Sequence, residues 1–504
     1  MNKITIKQIF LFLVLALGLL FYSGCSTLIS SRHQKKAAMK HFSGGEYKKS
    51  AKLIEEYAKS RAGTGDELMW YLEDGTVKFV IEDYPNSLKA FEKAEEVLQE
   101  HEDRATFNMR GVGAEVGAAY TNANALPYTG LFFEKIIINT FKSMNYLAMN
   151  NPDAASVEMR RARFRQKMAR RRYEVDLLEE YKYEPPKYKG MKIPGFSPDK
   201  ILNSKKIKED RKWIRKHKNL DYGNVTNPIV SFFSAIDFLA QGNPYKALFD
   251  FRILYRIDPN NPVFKKCYVS MAKQLKEPLP DKLKSISAYN FPMNRKVVYV
   301  LFEDGLIPAR KEKLFELILP PPIGYTGIAY PILEYFPSDA AHLEVINKDG
   351  KKVNTKIIGD FGAISSFALD KQINEIIIRA VIGAMVKEAT SITLQYTAKH
   401  VASQIPGAPP GSGEVAQLIV FVTMQVYKKM FNRADVRSWQ TLPNRIQAAV
   451  FPKGKNGIFK LSVISKDGSV MNSANINVGK SDSITMILVK SNGFDTMRLK
   501  IFDF

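Results

Sequence analysis

The sequence predicts an α+β protein of several domains, in which an N-terminal α-solenoid is followed by a β-sandwich-like domain with an inserted helical hairpin. Three observations lead to this fold class. Apolar residues recur at helical spacing from residue 30 to about residue 278. From residue 294 onward the apolar residues alternate with a period of two, which is typical of strands. A helical apolar pattern at 372–431 then interrupts the strands.

The N-terminus predicts an export signal. Lys3 and Lys7 precede an unbroken apolar run at 9–22. As a helix this run is about 21 Å long, which is too short for a bilayer core of about 30 Å. The run therefore indicates a signal peptide rather than a spanning helix.

The signal ends in Tyr22-Ser23-Gly24-Cys25-Ser26, which resembles the lipobox of bacterial lipoproteins, with Tyr22 where Leu is usual. The resemblance implies that 1–24 is removed and that Cys25 is acylated. It also implies an outer-membrane address, because Ser26 rather than Asp follows the cysteine. The expected orientation is toward the periplasm, although the residues themselves do not distinguish it from the cell surface. Two or three acyl chains would anchor the protein stably in the lipid bilayer. The alternative is an uncleaved signal anchor in which Cys25 is an incidental thiol.

The net charge narrows the classes of partner, and the cysteine content excludes two kinds of structural site. The chain carries 74 Lys and Arg against 51 Asp and Glu, a formal net charge of +23. A basic protein favours anionic partners, and export excludes chromosomal nucleic acid, which leaves lipid headgroups, envelope polymers and proteins. Cys25 and Cys267 are the two cysteines of the sequence, so a disulfide framework and a thiolate metal cluster are excluded.

The helical half resembles degenerate tetratricopeptide repeats. In the first copy a glycine turn at 43–46 precedes Tyr47, and Ala51 lies four residues further on. Similar turns predict three more copies, at 70–99, 133–164 and 228–257. The resemblance implies stacked helical hairpins with a concave surface that binds a partner. The alternative is a set of helical hairpins without regular stacking.

A basic insertion at 160–218 interrupts the repeats. The segment 155–220 holds about 21 basic and about 9 acidic residues, over half of the net charge. One interpretation is an anion-binding strip for an envelope polymer or for lipid headgroups, and the other is a solvated arm. The residues predicted for the strip are Arg160, Arg161, Arg163, Arg165, Arg170, Arg171 and Arg172.

The second half predicts strands at 296–302, 314–319, 330–336, 483–489 and 498–504. Asp349-Gly350 and Asp467-Gly468 predict the tight turns of two similar hairpins, at 343–353 and 461–470. A Phe-Pro pair precedes each hairpin. The similarity indicates two sister sheets of one sandwich, a duplicated β-unit, or the coincidence of a common hairpin type.

Two apolar helices are predicted at about 372–404 and 414–431, joined by a loop rich in proline and glycine. Charged residues interrupt the first helix, so we do not expect it to span a membrane. The favoured interpretation is a hairpin packed on a sheet face. The other is a patch for a partner or for the membrane surface. After the hairpin, 437–443 predicts a packed corner around Trp439.

The sequence offers little for catalysis. Its six histidines are dispersed, and no metalloprotease, serine-hydrolase or phosphate-loop motif is present. We therefore expect no enzyme, no catalytic residue, no metal site and no cofactor. Cys267 is expected to be a buried small apolar residue.

These predictions divide the chain into the signal 1–24, a helical domain at 25–290 and a β-rich domain at 291–504. The whole pattern resembles a group of bacterial lipoproteins in which degenerate tetratricopeptide helices precede a β-rich domain. The resemblance implies a membrane-tethered scaffold that binds an envelope protein, in cell-wall synthesis, secretion or outer-membrane assembly. The alternative is a binder of an anionic envelope polymer or lipid through 160–218.

Overall fold

The structure is a computed structural model. It describes residues 25–108, 126–180, 193, 196–216, 227–454, 456–479, 481–492 and 497–504. The predicted signal 1–24 lies outside these residues, as does 181–192 of the basic insertion. Within the described residues the predicted fold class is confirmed, since helices form the N-terminal half and sheets the C-terminal half.

Twelve helices are described before the first strand. They are α1 (Cys25–Ser43), α2 (Tyr47–Arg61), α3 (Glu67–Val80), α4 (Tyr84–Asn108), α5 (Phe132–Ala148), α6 (Pro152–Glu180), α7 (Pro198–Leu202), α8 (Lys205–Lys216), α9 (Pro228–Ala240), α10 (Pro244–Ile257), α11 (Pro262–Gln274) and α12 (Asp281–Lys284). Helices α1–α2, α3–α4, α5–α6 and α9–α10 form hairpins at the four predicted copies, and neighbouring hairpins pack on one another. The hairpin prediction is confirmed.

The four hairpins repeat the same local geometry. In each turn a residue with positive φ stands two positions before the second helix; these residues are Gly45, Glu82, Asn150 and Gly242. The fourth residue of each second helix is small and buried; these residues are Ser50, Ser87, Ala155 and Ala247. Ser50 and Ser87 donate to the carbonyl oxygens of Ala38 and Gly75, each twelve residues earlier. Small side chains at these positions let the two helices of a hairpin approach closely.

Eleven strands and two long helices are described in the C-terminal half. The strands are β1 (Val297–Asp304), β2 (Ala309–Ile318), β3 (Tyr325–Glu334), β4 (Ala340–Asn347), β5 (Lys352–Asn354), β6 (Lys356–Asp360), β7 (Arg445–Pro452), β8 (Ile458–Ser465), β9 (Val470–Asn477), β10 (Ile484–Ser491) and β11 (Met497–Asp503). The helices α13 (Phe361–Ser403) and α14 (Ser412–Met430) lie between β6 and β7. They are the predicted inserted hairpin.

The strands form three sheets. Their orders are β11-β10-β1-β7-β6, β5-β4-β8-β9 and β2-β3. One face of the five-stranded sheet shares a core with the four-stranded sheet, for example through Val300 of β1 and Leu461 of β8. The opposite face, with Tyr299, belongs to the core of the helical half, where Phe232 of α9 contacts the Tyr299 ring. The five-stranded sheet is therefore a central layer, and one core continues across the predicted boundary at residues 290 and 291.

Two details differ from the sequence predictions. The two Asp-Gly hairpins, β4–β5 and β8–β9, are neighbours in one sheet through β4–β8 pairing, so the interpretation as two sister sheets is wrong. Helix α13 begins at Phe361, eleven residues before the predicted start. The Asp360 side chain caps it by accepting from the Ala363 amide, and its buried first turns lack the charged face that helix prediction relies on.

Candidate functional site

The first helices of the hairpins share a face that a solenoid would offer to a partner. In this structure the segment 431–444, which follows α14, lies on that face. Trp439 is fully buried there between Phe91 and Phe141, with ring centroids 5.8 and 5.5 Å away. Its indole N–H donates to the hydroxyl of Thr76 on α3 at 2.8 Å. The packed corner predicted around Trp439 is thus built against the helical half.

Two buried carboxylates hold the backbone of this segment. Glu73 on α3 accepts from the amides of Gln440 and Thr441, at 2.7 and 3.0 Å. Glu134 on α5 accepts from the Trp439 amide at 2.8 Å and from the Tyr128 hydroxyl. Burial raises the pKa of Glu134, against the effect of these hydrogen bonds. Directional acceptors of this kind fix one backbone conformation on the helices.

Arg437 connects the same segment to the turn before α3. Its guanidinium pairs with Asp66 at 3.1 Å and with Asp435 at 2.8 Å. It also donates to the carbonyl oxygens of Gly65 and Leu126. Although burial opposes ionisation, the hydrogen bonds from Arg437 hold the pKa of Asp435 below its usual value. The face shared by α1, α3 and α5 is therefore occupied by the chain's own residues, and a partner would bind elsewhere.

A second surface, between the third and fourth hairpins, is open. We call it the basic–aromatic groove; it has a volume of about 460 Å³ and is lined by Arg160, Arg163, Phe238, Tyr245, Lys246 and Phe249. Tyr245 and Phe249 stand one helical turn apart on α10 and are 62% and 54% exposed. Large aromatic side chains at this exposure, beside cations, are the composition of binding surfaces.

The cations of the groove are positioned by neighbours. The Arg163 guanidinium lies 4.6 Å from the centre of the Phe238 ring and pairs with Asp250 at 3.1 Å. The Lys246 ammonium lies 5.4 Å from the same ring. Burial raises the pKa of Asp250 to about 6, while the Arg163 charge acts in the opposite direction. Arg160 is exposed at the rim.

The structure separates the seven arginines predicted for the anion strip. Arg160 and Arg163 line the groove. Arg161 pairs with Glu158 at 2.7 Å, and Arg165 pairs with Glu95 at 2.9 Å. Arg170 and Arg171 are exposed further along α6, and the side chain of Arg172 lies outside the described residues.

Sequence reasoning missed Tyr245 and Phe249. It treated 242–247 as the turn of the fourth repeat, and it looked for anion-binding residues only in the insertion at 160–218. The spacing of the two aromatic residues on one helix face is a signal that could have marked them. Arg160 and Arg163, by contrast, were predicted from charge and do lie at the groove.

Other predicted positions carry less chemistry. Cys25 begins α1, and its side chain lies outside the described residues. Cys267 on α11 is fully buried, and burial raises the pKa of its thiol. Among the described residues no group of His, Cys, Asp and Glu is placed to hold a metal ion. In the same part of the chain, no helix combines the length and the apolar character that crossing a bilayer requires.

No family model and no curated protein matches this sequence. Among solved structures, the chain is similar to a tetratricopeptide repeat protein from Parabacteroides merdae at 12% sequence identity, over 47% of this chain and 96% of that chain. The TM-score is 0.13, so the likeness carries no argument about fold or function. The repeat geometry described above is independent of it.

Proposed function

We propose that this protein is a lipid-anchored scaffold of the bacterial envelope that binds a partner protein in the basic–aromatic groove. The anchor is acylated Cys25, and the address is the periplasm-facing side of the outer membrane. The role is non-catalytic and needs no cofactor. Cell-wall synthesis, secretion and outer-membrane assembly are the processes in which such a scaffold would act.

The observation that carries this proposal is the contrast in coverage on the helical array. The face shared by α1, α3 and α5 is covered by 431–444, whereas Tyr245 and Phe249 on α10 are exposed. A partner segment that combines acidic and apolar side chains fits the groove, because its lining combines three cations with three aromatic rings.

The test is photocrosslinking in intact envelopes, with a photoreactive residue in place of Tyr245. We expect a defined protein adduct that is lost in Phe249→Ser and weakened in Arg160→Glu. The matched control is Val470→Ser, because Val470 on β9 is 60% exposed and lies in the four-stranded sheet. Equal crosslinking in all three variants would contradict the proposal.

The second candidate is binding of an anionic envelope polymer or of lipid headgroups. The exposure of Arg160, Arg161, Arg170 and Arg171 along α6 favours it. Binding of this kind falls steeply with salt and does not depend on aromatic side chains. An adduct that resists protease, is lost in Arg170→Glu with Arg171→Glu, and survives Phe249→Ser would identify the polymer binder.

A further inference from the structure

The outer face of α14 is apolar and uncovered. Its exposed residues follow one helical stripe and are each between 37% and 60% exposed; they are Val415, Leu418, Ile419, Val422, Val426 and Met430. The buried residues Val420, Met424 and Lys428 lie on the opposite side, toward α13. The stripe is therefore not needed to hold α14 in place.

Specific contacts anchor the hairpin on its inner side. The Lys428 ammonium pairs with the buried Glu388 carboxylate of α13, at 2.9 and 3.0 Å from its two oxygens. Lys428 and Gln425 also donate to the carbonyl oxygen of Ile323 in the β2–β3 turn. The far end of α13 exposes further large side chains, Leu394, Tyr396 and Val401. The distal part of the hairpin thus shows apolar side chains to solvent on both helices.

Charge is almost absent from the same region. The segment 401–427 contains a single charged residue, Glu414, in a chain of which 25% is charged. Glu414 is paired with Lys399 at 3.2 Å. Positive charge returns at the base of α14, with Lys429 and with Arg433, which pairs with Glu312 at 3.0 Å. An uncharged apolar face bordered by cations is the pattern of a helix that lies in the headgroup region of an anionic membrane.

Helix α1 contacts the segment that follows this hairpin. Arg32 of α1 donates to the carbonyl oxygen of Ala434 at 2.6 Å and pairs with Glu312 at 3.1 Å. Helix α1 continues for seven residues before Arg32, about 10 Å at the rise of an α-helix. The predicted anchor at Cys25 therefore lies about 10 Å along α1 from the residue that contacts the segment after α14.

We propose that the α13–α14 hairpin is a second membrane contact, with the outer face of α14 seated in the interface of the bilayer that holds Cys25. The inference rests on the proposed lipid anchor for its location. The hairpin does not cross the bilayer; it lies along it, and so fixes the orientation of the groove relative to the membrane. The occupant is a lipid surface, because the face carries apolar area without the directional polar groups that a protein interface adds.

The test uses the full acylated chain reconstituted in vesicles of phosphatidylethanolamine with phosphatidylglycerol as the minor component. An environment-sensitive fluorophore is attached at Leu418→Cys or, separately, at Val422→Cys; Cys267 is buried and Cys25 is acylated, so neither competes. The matched control is Val470→Cys, since Val470 and Leu418 are both 60% exposed. Flotation of the vesicles reports the anchor independently of the fluorophore.

Brominated acyl chains should quench the α14 probes about twofold, because an interfacial helix buries its apolar face to roughly 5–10 Å. The Val470→Cys probe should be unaffected. A blue shift at Leu418→Cys that needs no lipid would show that a second copy covers the face, and would overturn the proposal. Floated protein with water-exposed α14 probes would also overturn it while leaving the anchor intact. Loss of flotation in the unlabelled chain, by contrast, would overturn the anchor and with it this inference.

Discussion

Two helical surfaces of the protein differ in how they are covered. The face of α1, α3 and α5 is covered by 431–444, and Trp439 of this segment is buried. The backbone of the segment is held by Glu134, which accepts from the Trp439 amide, and by Glu73, which accepts from the Gln440 amide. The outer face of α14, the helix immediately before that segment, exposes its apolar side chains to solvent. The first surface has buried acceptors in fixed positions, so it selects one internal segment. The second has none along its stripe and suits a partner that imposes no geometry, such as lipid.

Trp439→Ala gives the largest expected effect. Removing a fully buried indole between Phe91 and Phe141 leaves a cavity and takes away the N–H that donates to the Thr76 hydroxyl, so the free energy of unfolding should fall by about 3–5 kcal/mol. Urea denaturation measures it. The matched control is Trp213→Ala, because Trp213 is 47% exposed and its loss should cost far less. Equal losses in the two variants would mean that Trp439 stabilises the fold no more than an exposed tryptophan does, and that 431–444 does not pack closely on the helices.

Asp250→Asn tests whether the carboxylate that pairs with Arg163 of the groove is buried and has a raised pKa. The pKa of the Asp250 carboxyl group is 3.8 in the unfolded chain and about 6 in the folded protein. As the pH rises between these values, the unfolded chain loses the carboxyl proton while the folded protein keeps it, so the free energy of unfolding falls. At about 1.4 kcal/mol per pKa unit, the wild type should lose up to about 3 kcal/mol relative to Asp250→Asn across this window. Urea denaturation at pH values from about 3.5 to 6.5 measures the difference. A difference that does not change with pH would show that burial leaves Asp250 with an ordinary pKa.

Glu73→Gln tests the acceptors of the covered face. The amide keeps one oxygen, so either the Gln440 or the Thr441 N–H loses its acceptor, and the Lys35 ammonium loses its counter-charge. We expect a loss of about 1–3 kcal/mol in the free energy of unfolding. Glu92→Gln, at an exposed site on α4, is the control and should lie within about 0.5 kcal/mol of wild type. A neutral Glu73→Gln would mean that the carboxylate does not hold 431–444.

Val422→Ser should have the smallest effect on stability. Val422 is exposed on α14, so its replacement should change the free energy of unfolding by no more than about 0.5 kcal/mol. The companion change Val420→Ser, on the packed side of the same helix, should cost about 1–3 kcal/mol. Thermal unfolding of the two variants measures the contrast. A large loss in Val422→Ser would show that the outer face is covered within the protein.

Local features of the fold could be predicted from the sequence because they depend on near neighbours. The hairpin turns need a residue that tolerates positive φ, and Gly45 and Gly242 supply it. Gly350 and Gly468 mark the tight β-turns in the same way. These glycines give a signal within a few residues, so the elements around them were placed correctly.

Long-range features could not be predicted. The central position of β1 depends on parallel pairing with β10, nearly two hundred residues away. The covered helical face depends on 431–444 returning to α3 across more than three hundred residues. For the same reason the solenoid was expected to be open, whereas 431–444 covers the face of α1, α3 and α5. The prediction that the hairpin packs on a sheet face is confirmed, because α13 and α14 pack on β3, and the outer face of α14 is exposed.

Hydrogen exchange of the backbone amides shows directly whether 431–444 covers the helical face in solution. The amides of Trp439, Gln440 and Thr441 donate to Glu134 and Glu73, so we expect them to exchange as slowly as the amides of the central strand β1. The exposed loop at 404–411, which joins α13 and α14, provides the fast reference. If 439–441 exchanged as fast as that loop, the helical face would be open in solution, and 431–444 would not cover it.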